Sequence, residues 1–457
     1  MSELYVSESL KYGATYSSSK VNRLKVLPTT GSGPYGPNAI IRFALPSRSI
    51  LRLSSVSVVA DLTISNLIAT DTAANLVNAL IPYTQKLVSR CNWIVNGISC
   101  TPSNNYDQVA TQLAKLTASE SWCKTRCNQG ALELIQHADD AANTNHRSLT
   151  ANPATGATSK VSQIVIDDFL GLSRSNGGFG IIDCGIFGNV ELELTLSQDP
   201  LKVFAGASAT AAQLAAVTYA LSNISLQIDS IVSVGNDYLQ LMSMRLKNAT
   251  PINFAFQNFN SQIQAHGGTG VVRHSISSNC VDVIMAAPLG SGYATRSIQA
   301  VTAVNAPRFA YDSGRTYANQ SQAQIQFNIG STSYPQGYQL SVFEALDVSQ
   351  NTFGVMDRNA NNILCHGTDA TGDVDAGGVY GRDAYLSQNS IFAMALSNES
   401  EGWASRVLTG VSTNQSNSEV VFQLTNYGTA SGFLSTTALY TSVLQYDPQT
   451  ASVSLIA

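Results

Sequence analysis

"GNVELELTLSQDP", residues 188–200, alternates apolar and polar side chains from Val190 to Leu196 and then stops at Gln-Asp-Pro. Period-two alternation marks a half-buried strand, and the Asp-Pro behind it marks a turn. The stretch reads as the closing strand of a β-domain, yet the chain runs on to residue 457. A single hydrophobic core stops growing at roughly 250–300 residues, so a second domain of similar size is expected beyond it.

Working outward from this strand, the same alternation recurs on both sides. Before it, "NAIIRFALP" puts Ile41, Phe43 and Leu45 on one face, and "SVSVVADLTIS" does so with Val56, Val58, Ala60, Leu62 and Ile64. "QIVIDDFLGL" and "GFGIIDCGIF" read as further strands. The period changes to that of a helix in "YDQVATQLAKLTASESW", where Val109, Leu113 and Leu116 share a face and Asn104 or Asn105 is placed to cap. A second helical piece is expected at 131–142, and 143–160 is turn-rich without periodicity. Residues 205–217, "AGASATAAQLAAV", are small and uncharged and read as a linker holding a short helix. Beyond it, "YALSNISLQIDSIVSV" is a strand and "NDYLQLMSMRLK" is locally helical. "INFAFQNF", "NCVDVIMAAP", "AQIQFNI", "YQLSVFEAL", "DAYLSQNSIFAMAL", "SEVVFQLTNYG", "TTALYTSVLQYD" and "ASVSLIA" then follow as strands between Gly-, Asn- and Pro-containing turns.

The reading is therefore all-β: two consecutive eight-stranded antiparallel jelly rolls, with a few short helices in the connecting loops. The expected division is a basic arm over 1–38, a first jelly roll over 39–204, a linker over 205–217 and a second jelly roll over 218–457. Alternation gives the faces of these strands and not their order.

Hydrophobic residues make up 44% of the chain and charged residues only 12%, about half the ~25% of an average soluble domain. This excludes a disordered chain, which carries high net charge and few apolar residues. Two readings fit the low charge: a surface largely covered by neighbours, or a Thr- and Ser-rich sandwich surface. The net charge of −5 excludes bulk electrostatic binding of nucleic acid. Within residues 9–60, however, Lys11, Lys20, Arg23, Lys25, Arg42, Arg48 and Arg52 stand without one Asp or Glu. Such a basic arm fits phosphate, of nucleic acid or anionic lipid, and equally a solvated segment. The seven cysteines are odd in number and thinly spread, which fits reduced thiols rather than a disulfide framework. "MSELYVSESLKYG" has neither a basic leader nor an apolar core, so synthesis without a secretory signal is expected, and no apolar run is long enough to span a membrane.

Motifs for chemistry are sparse. "GSGPYG", Gly31–Gly36, matches a dinucleotide fingerprint, but Pro34 and Pro37 interrupt it and a strand follows where the fingerprint needs a helix. Cys123, Cys127 and His137 lack the second ligand pair that structural zinc requires, and Cys365-His366 has no identifiable partner. Asp369, Asp373 and Asp375 cluster in "TDATGDVDAGG"; oxygen ligands at short spacing suit calcium, but the EF-hand order and terminal Glu are missing, and a solvated acidic loop has the same composition. No catalytic residue and no cofactor is assigned.

"VELELTLSQDPLKVF", "VTYALSNISLQIDSIVSVGNDYLQLM", "AQIQFNIGSTSYPQGYQLSVFEAL" and "ALYTSVLQYDPQTASVSLIA" resemble the double jelly-roll major capsid proteins of viruses, most of all those of virophages and polinton-like viruses. The resemblance implies a major capsid protein that self-assembles as homotrimeric, pseudo-hexagonal capsomers in an icosahedral virion shell, with no enzymatic activity. It implies neighbouring capsomers, penton and minor capsid proteins as partners, and an interior-facing basic arm that meets an internal membrane or the genome. The 143–160 and 355–385 excursions would form the outer towers. The alternative is a surface carbohydrate-binding or carbohydrate-active β-sandwich, which calls for an export signal.

Overall fold

The computed structural model describes residues 20–31, 33–68, 75–81, 83–117, 158–175, 180–232, 236–289, 297–300, 323–352, 391–396, 410–414, 419–426 and 432–456. Strands are numbered in chain order. One sheet runs β1 (Val21–Val26), β12 (Thr218–Ile231), β3 (Ile50–Ser65), β7 (Ser159–Asp167), with β9 (Ile181–Asp183) also on β3. A second runs β2 (Ile40–Ala44), β10 (Val190–Leu196), β5 (Val88–Val95), β6 (Ile98–Ser99). Two further sheets follow, and the buried apolar side chains of all four join in one hydrophobic cluster. One is β20 (Phe392–Ala395), β15 (Val281–Leu289), β22 (Gly432–Asp447), β13 (Ile252–His266), β8 (Gly171–Ser175), with β23 (Ser452–Ile456) on β22. The other is β14 (Gly270–Ser275), β21 (Glu419–Thr425), β17 (Gln324–Ile329), β18 (Thr332–Tyr334), with β19 (Leu340–Ser341) on β17. A small sheet sets β11 (Lys202–Ala205) between β4 (Val77–Leu80) and β16 (Ser297–Ala300), and β11–β16 is parallel whereas the other named pairings are antiparallel.

Alternation becomes packing as expected. Along β10, Val190, Leu192, Leu194 and Leu196 are buried, and each such side chain contributes about 1.5–3 kcal/mol relative to exposure. The predicted helix is α1 (Tyr106–Thr117), with Val109, Leu113 and Leu116 inward and Asn105, at φ +61°, starting its first turn. "GIIDCGIF" is not one strand: β9 stops at Asp183, whose carboxylate accepts from the Gly185 N–H and starts a single turn, α2 (Cys184–Phe187). The 205–217 stretch contains α3 (Ala211–Ala216), held by a capping box between Thr210 and Gln213. After β12 comes the expected helix, α4 (Asn236–Lys247). "YQLSVFEAL" is a correction: only Leu340–Ser341 is strand, and α5 (Val342–Thr352) follows. Glu344 turns back to accept from the Ser341 N–H at 2.8 Å and hydroxyl at 2.7 Å, which fixes the helix start.

β10 does not finish the first barrel. The strand after the 205–217 stretch, β12, was expected to open the second jelly roll. Its hydrogen bonds instead run to β1 and along β3, pairing Thr218 with Ser65 and Ile231 with Ile50. The partners change only beyond Ile231, since β13 pairs with β22 from Ile252↔Tyr446 to His266↔Gly432. The arm expected over 1–38 is likewise sheet where it is described: β1 pairs with β12, and Tyr35 bridges to Leu221.

The two barrels are joined by hydrogen bonds and packing. β8 leaves the first half and pairs with β13 through Phe256↔Ser175 and Gln257↔Gly171. Across the joint, Asn258 Nδ2 donates to the Cys100 carbonyl at 2.7 Å, Ser103 Oγ donates to the Phe259 carbonyl at 2.5 Å, and Gln112 Nε2 donates to Ser435 Oγ at 3.0 Å. The Tyr106 and Phe259 rings lie 6.1 Å apart, and Phe187 packs edge-on to Phe254 and Tyr446. β15 and the middle of β22 are accordingly buried on both faces, the pattern of a strand covered from two sides.

Candidate functional surfaces

Among the described residues, no three His, Cys, Asp or Glu side chains gather where a metal ion could be held. Asp369, Asp373 and Asp375 lie outside the described residues, as do Cys123, Cys127, His137, Cys365 and His366, and so do both expected tower excursions apart from residues 158–160. The "GSGPYG" loop is anchored by Tyr35, whose hydroxyl donates to the Gly31 carbonyl at 2.6 Å and whose N–H donates to the Leu221 carbonyl at 2.8 Å. The next element is the strand β2 rather than a helix, so the loop lacks the amide-lined helix start that a dinucleotide requires.

The basic residues are distributed over the first barrel. Lys11 lies outside the described residues, and Lys20 immediately precedes β1, its carbonyl accepting from the Val232 N–H at 2.8 Å. Arg23 and Lys25 are on β1, Arg42 on β2 and Arg52 on β3, while Arg48 sits in a turn at φ +57°. Two of them have acidic partners from distant sequence. Arg42 Nε lies 2.6 Å from Glu193 Oε2, directly across the β2–β10 pair, and Glu193 is itself buried. Arg23 lies across from Asp229, with 3.8 Å between charges, and its guanidinium also donates to Gln227 and Ser57. Both arginine side chains stay about half exposed beside these partners. Those partners were missed because Glu193 stands 151 positions from Arg42, and nothing local signals the pair.

Buried titratable groups serve the core. His274 Nδ1 lies 2.7 Å from Thr436 Oγ1, whose hydroxyl reaches the Gln262 carbonyl, so the histidine donates from Nδ1 and its Nε2 is left without a partner. Burial lowers the His274 pKa to about 4 and keeps the ring neutral. Asp282 accepts from Thr441 Oγ1 at 2.6 Å and from the Cys280 thiol, and burial raises its carboxyl pKa. Burial also pushes the Cys100, Cys184 and Cys280 thiols up to about 12 and the Cys91 thiol further still. None of the four has the depressed pKa of a nucleophile.

What remains for function is surface. β1 and β14 are sheet edges with exposed positions, and Val21, Val232, Met244 and Leu246 are exposed apolar side chains, Val21 at the start of β1 and Val232 just beyond the end of β12. No helix among the described residues is long and apolar enough to cross a membrane.

No protein-family model and no curated protein matches the sequence. Solved structures do. The chain superposes on a chain of the PBCV-1 virus capsid at TM-score 0.58 and 11% identity, covering 97% of both chains. With the Faustovirus major capsid protein the TM-score is 0.53 at 10% identity, over 97% of this chain and 91% of that one. With the mavirus major capsid protein it is 0.51 at 9% identity, over 95% and 88%. The fold is a double jelly roll.

Proposed function

We propose that this chain is a major capsid protein that self-associates into the shell of an icosahedral virion, as homotrimeric pseudo-hexagonal capsomers. The observation that carries the reading is the match in fold over nearly the full length of both chains, with both barrels included. Two barrels held rigidly together are a suitable tile, because three copies present six barrels in a near-hexagonal outline. A low charge content of 12% suits surfaces that end up buried between subunits. The chain's role is then mechanical, with no catalytic step. We place the division between barrels after Ile231, where the strands change partner. Residues before β1, with Lys11 and Lys20, are the part of the basic arm that remains for contact with genome or internal membrane, and penton and minor capsid proteins would complete the shell. The Asp369, Asp373 and Asp375 loop is retained as a calcium candidate. A surface carbohydrate-binding or carbohydrate-active β-sandwich is the less favoured reading, because the matching folds are those of capsid proteins over nearly their full length.

Light scattering on the purified protein, followed by negative-stain imaging of the same fractions, tests the proposal. A species of three times 48.5 kDa with pseudo-hexagonal outlines is expected. A monodisperse monomer that persists at high concentration would refute it.

A further inference from the structure

Exposed aliphatic side chains gather where strands β1, β12, β3 and β9 reach one end of their sheet. Register fixes that end: Val21 of β1, Ile231 of β12, Ile50 of β3 and Asp183 of β9 stand opposite one another. Neighbouring strands lie about 4.8 Å apart, so the row spans about 15 Å. Two positions along, Arg23, Asp229, Arg52 and Ile181 form the next row on the same face. Val232 continues past Ile231, its N–H donating to the Lys20 carbonyl at 2.8 Å. The helix α4 begins at Asn236 and is tied to the same end, because Tyr238 Oη donates to Asp183 Oδ2 at 2.9 Å. Met242 of α4 packs against the core, which leaves Met244 and Leu246 55% and 40% exposed. On the sheet, Val21, Val232 and Ile181 are 59%, 63% and 37% exposed.

We propose that this end of the molecule docks onto an anionic lipid surface. The charges around the aliphatic side chains decide the partner. Lys20, Arg48, Arg52 and Lys247 are exposed, and none forms an ion pair with an acid among the described residues. Both acids of the two rows are engaged: Asp183 accepts from Tyr238 and from the Gly185 N–H, and Asp229 lies 3.8 Å from Arg23. With Arg23 and Arg245 the six cations outnumber Asp183, Asp229 and Asp237, on a chain whose net charge is −5. Aliphatic side chains set among unpaired cations are complementary to a surface that offers phosphate outside and hydrocarbon just beneath it. A nucleic acid strand would call for exposed aromatic rings on which bases stack, whereas the exposed apolar side chains here are aliphatic. A second copy presenting the same end would set like charges against one another. Unlike the residues before β1, this is a folded surface of strand ends and a helix, and it does not depend on the shell-building reading.

The test is co-sedimentation of the full-length protein with vesicles of phosphatidylcholine alone and of phosphatidylcholine mixed equally with phosphatidylserine. Binding to the mixed vesicles only is expected, and added salt should weaken it. Changing Met244→Ser together with Leu246→Ser should weaken binding about tenfold, and Lys247→Gln about fivefold. All three positions are exposed, so melting should be unchanged, and Val271→Ser at an exposed position on β14 should leave binding as it is. No binding to the mixed vesicles, equal binding to phosphatidylcholine alone, wild-type binding by the folded double variant, or equal weakening by Val271→Ser would each overturn the proposal. So would displacement from the vesicles by an equimolar single-stranded oligonucleotide, which would give the cations to nucleic acid. A lower light-scattering mass for the double variant without vesicles would give the face to a second copy and overturn it too.

Discussion

Replacing Gly171 with alanine probes the joint between the barrels at one atom. Gly171 has φ +87°, a conformation that costs an L-residue about 1–2 kcal/mol. The added Cβ would stand 2.5 Å from Thr101 Cγ2 and 2.8 Å from Trp93 Cδ1. Neither neighbour can yield easily: the fully buried Trp93 donates from Nε1 to the Leu170 carbonyl at 3.0 Å, and Thr101 Oγ1 accepts from the Trp93 N–H at 2.8 Å. Overpacking of this kind costs about 1–3 kcal/mol, so the total is about 2–5 kcal/mol. For a domain of this size each kcal/mol lowers the melting temperature by about 2–4 °C, so a drop of about 10 °C is expected by calorimetry. Thr101→Ser removes the closest methyl and keeps the hydroxyl bond, so adding it to Gly171→Ala should restore about 1–2 kcal/mol. A Gly171→Ala protein that melts within a degree of wild type, or a double variant with no recovery, would refute the packing argument.

Protonation of His274 gives a second outcome. Its folded pKa of about 4 lies below the 6.5 of the unfolded chain, so the unfolded state binds the extra proton and stability falls as pH drops from 6.5 towards 4, by about 3 kcal/mol. Urea midpoints against pH should show this slope, and His274→Gln should flatten it; Asp282, whose pKa is raised, works in the opposite direction below neutrality. Phe259→Ala should cost about 3–5 kcal/mol through the cavity left against Tyr106, measured by denaturant unfolding. Thiol titration with a disulfide reagent at pH 8 should find Cys91, Cys100, Cys184 and Cys280 unreactive in the native protein, leaving no more than three of seven to react until denaturant is added.

Strand faces were legible in the sequence because a side chain's burial alternates with chain position, and Val56, Val58, Ala60, Leu62 and Ile64 are all buried on β3 as their spacing predicts. Partnership was not legible. β12 was found in the right place and given to the wrong barrel, since its hydrogen-bond partners Ile50–Ser65 are distant in sequence and carry no matching mark. "YQLSVFEAL" failed for a local reason: Ser341 and Glu344 form a helix-start signal, but Leu340, Val342 and Leu346 also satisfy period-two alternation. The basic stretch was read as an arm because charge was counted along the chain, whereas Glu193 and Asp229 neutralise Arg42 and Arg23 across it. The β3 bulge between Arg52 and Ser57 had no sequence signal, since it exists only relative to the neighbouring strand.

The placement of β12 between β1 and β3 also sets a timetable. β3 ends at Ser65 and its partner begins at Thr218, so on a ribosome adding about 5–20 residues per second the nascent β3 edge waits roughly 8–30 s for its neighbour. Throughout that interval a sixteen-residue strand with five apolar side chains in register offers open amides and carbonyls to any other nascent copy. On a polysome crowded with identical chains, the first barrel is therefore most vulnerable to mispairing before its own sequence has been fully translated.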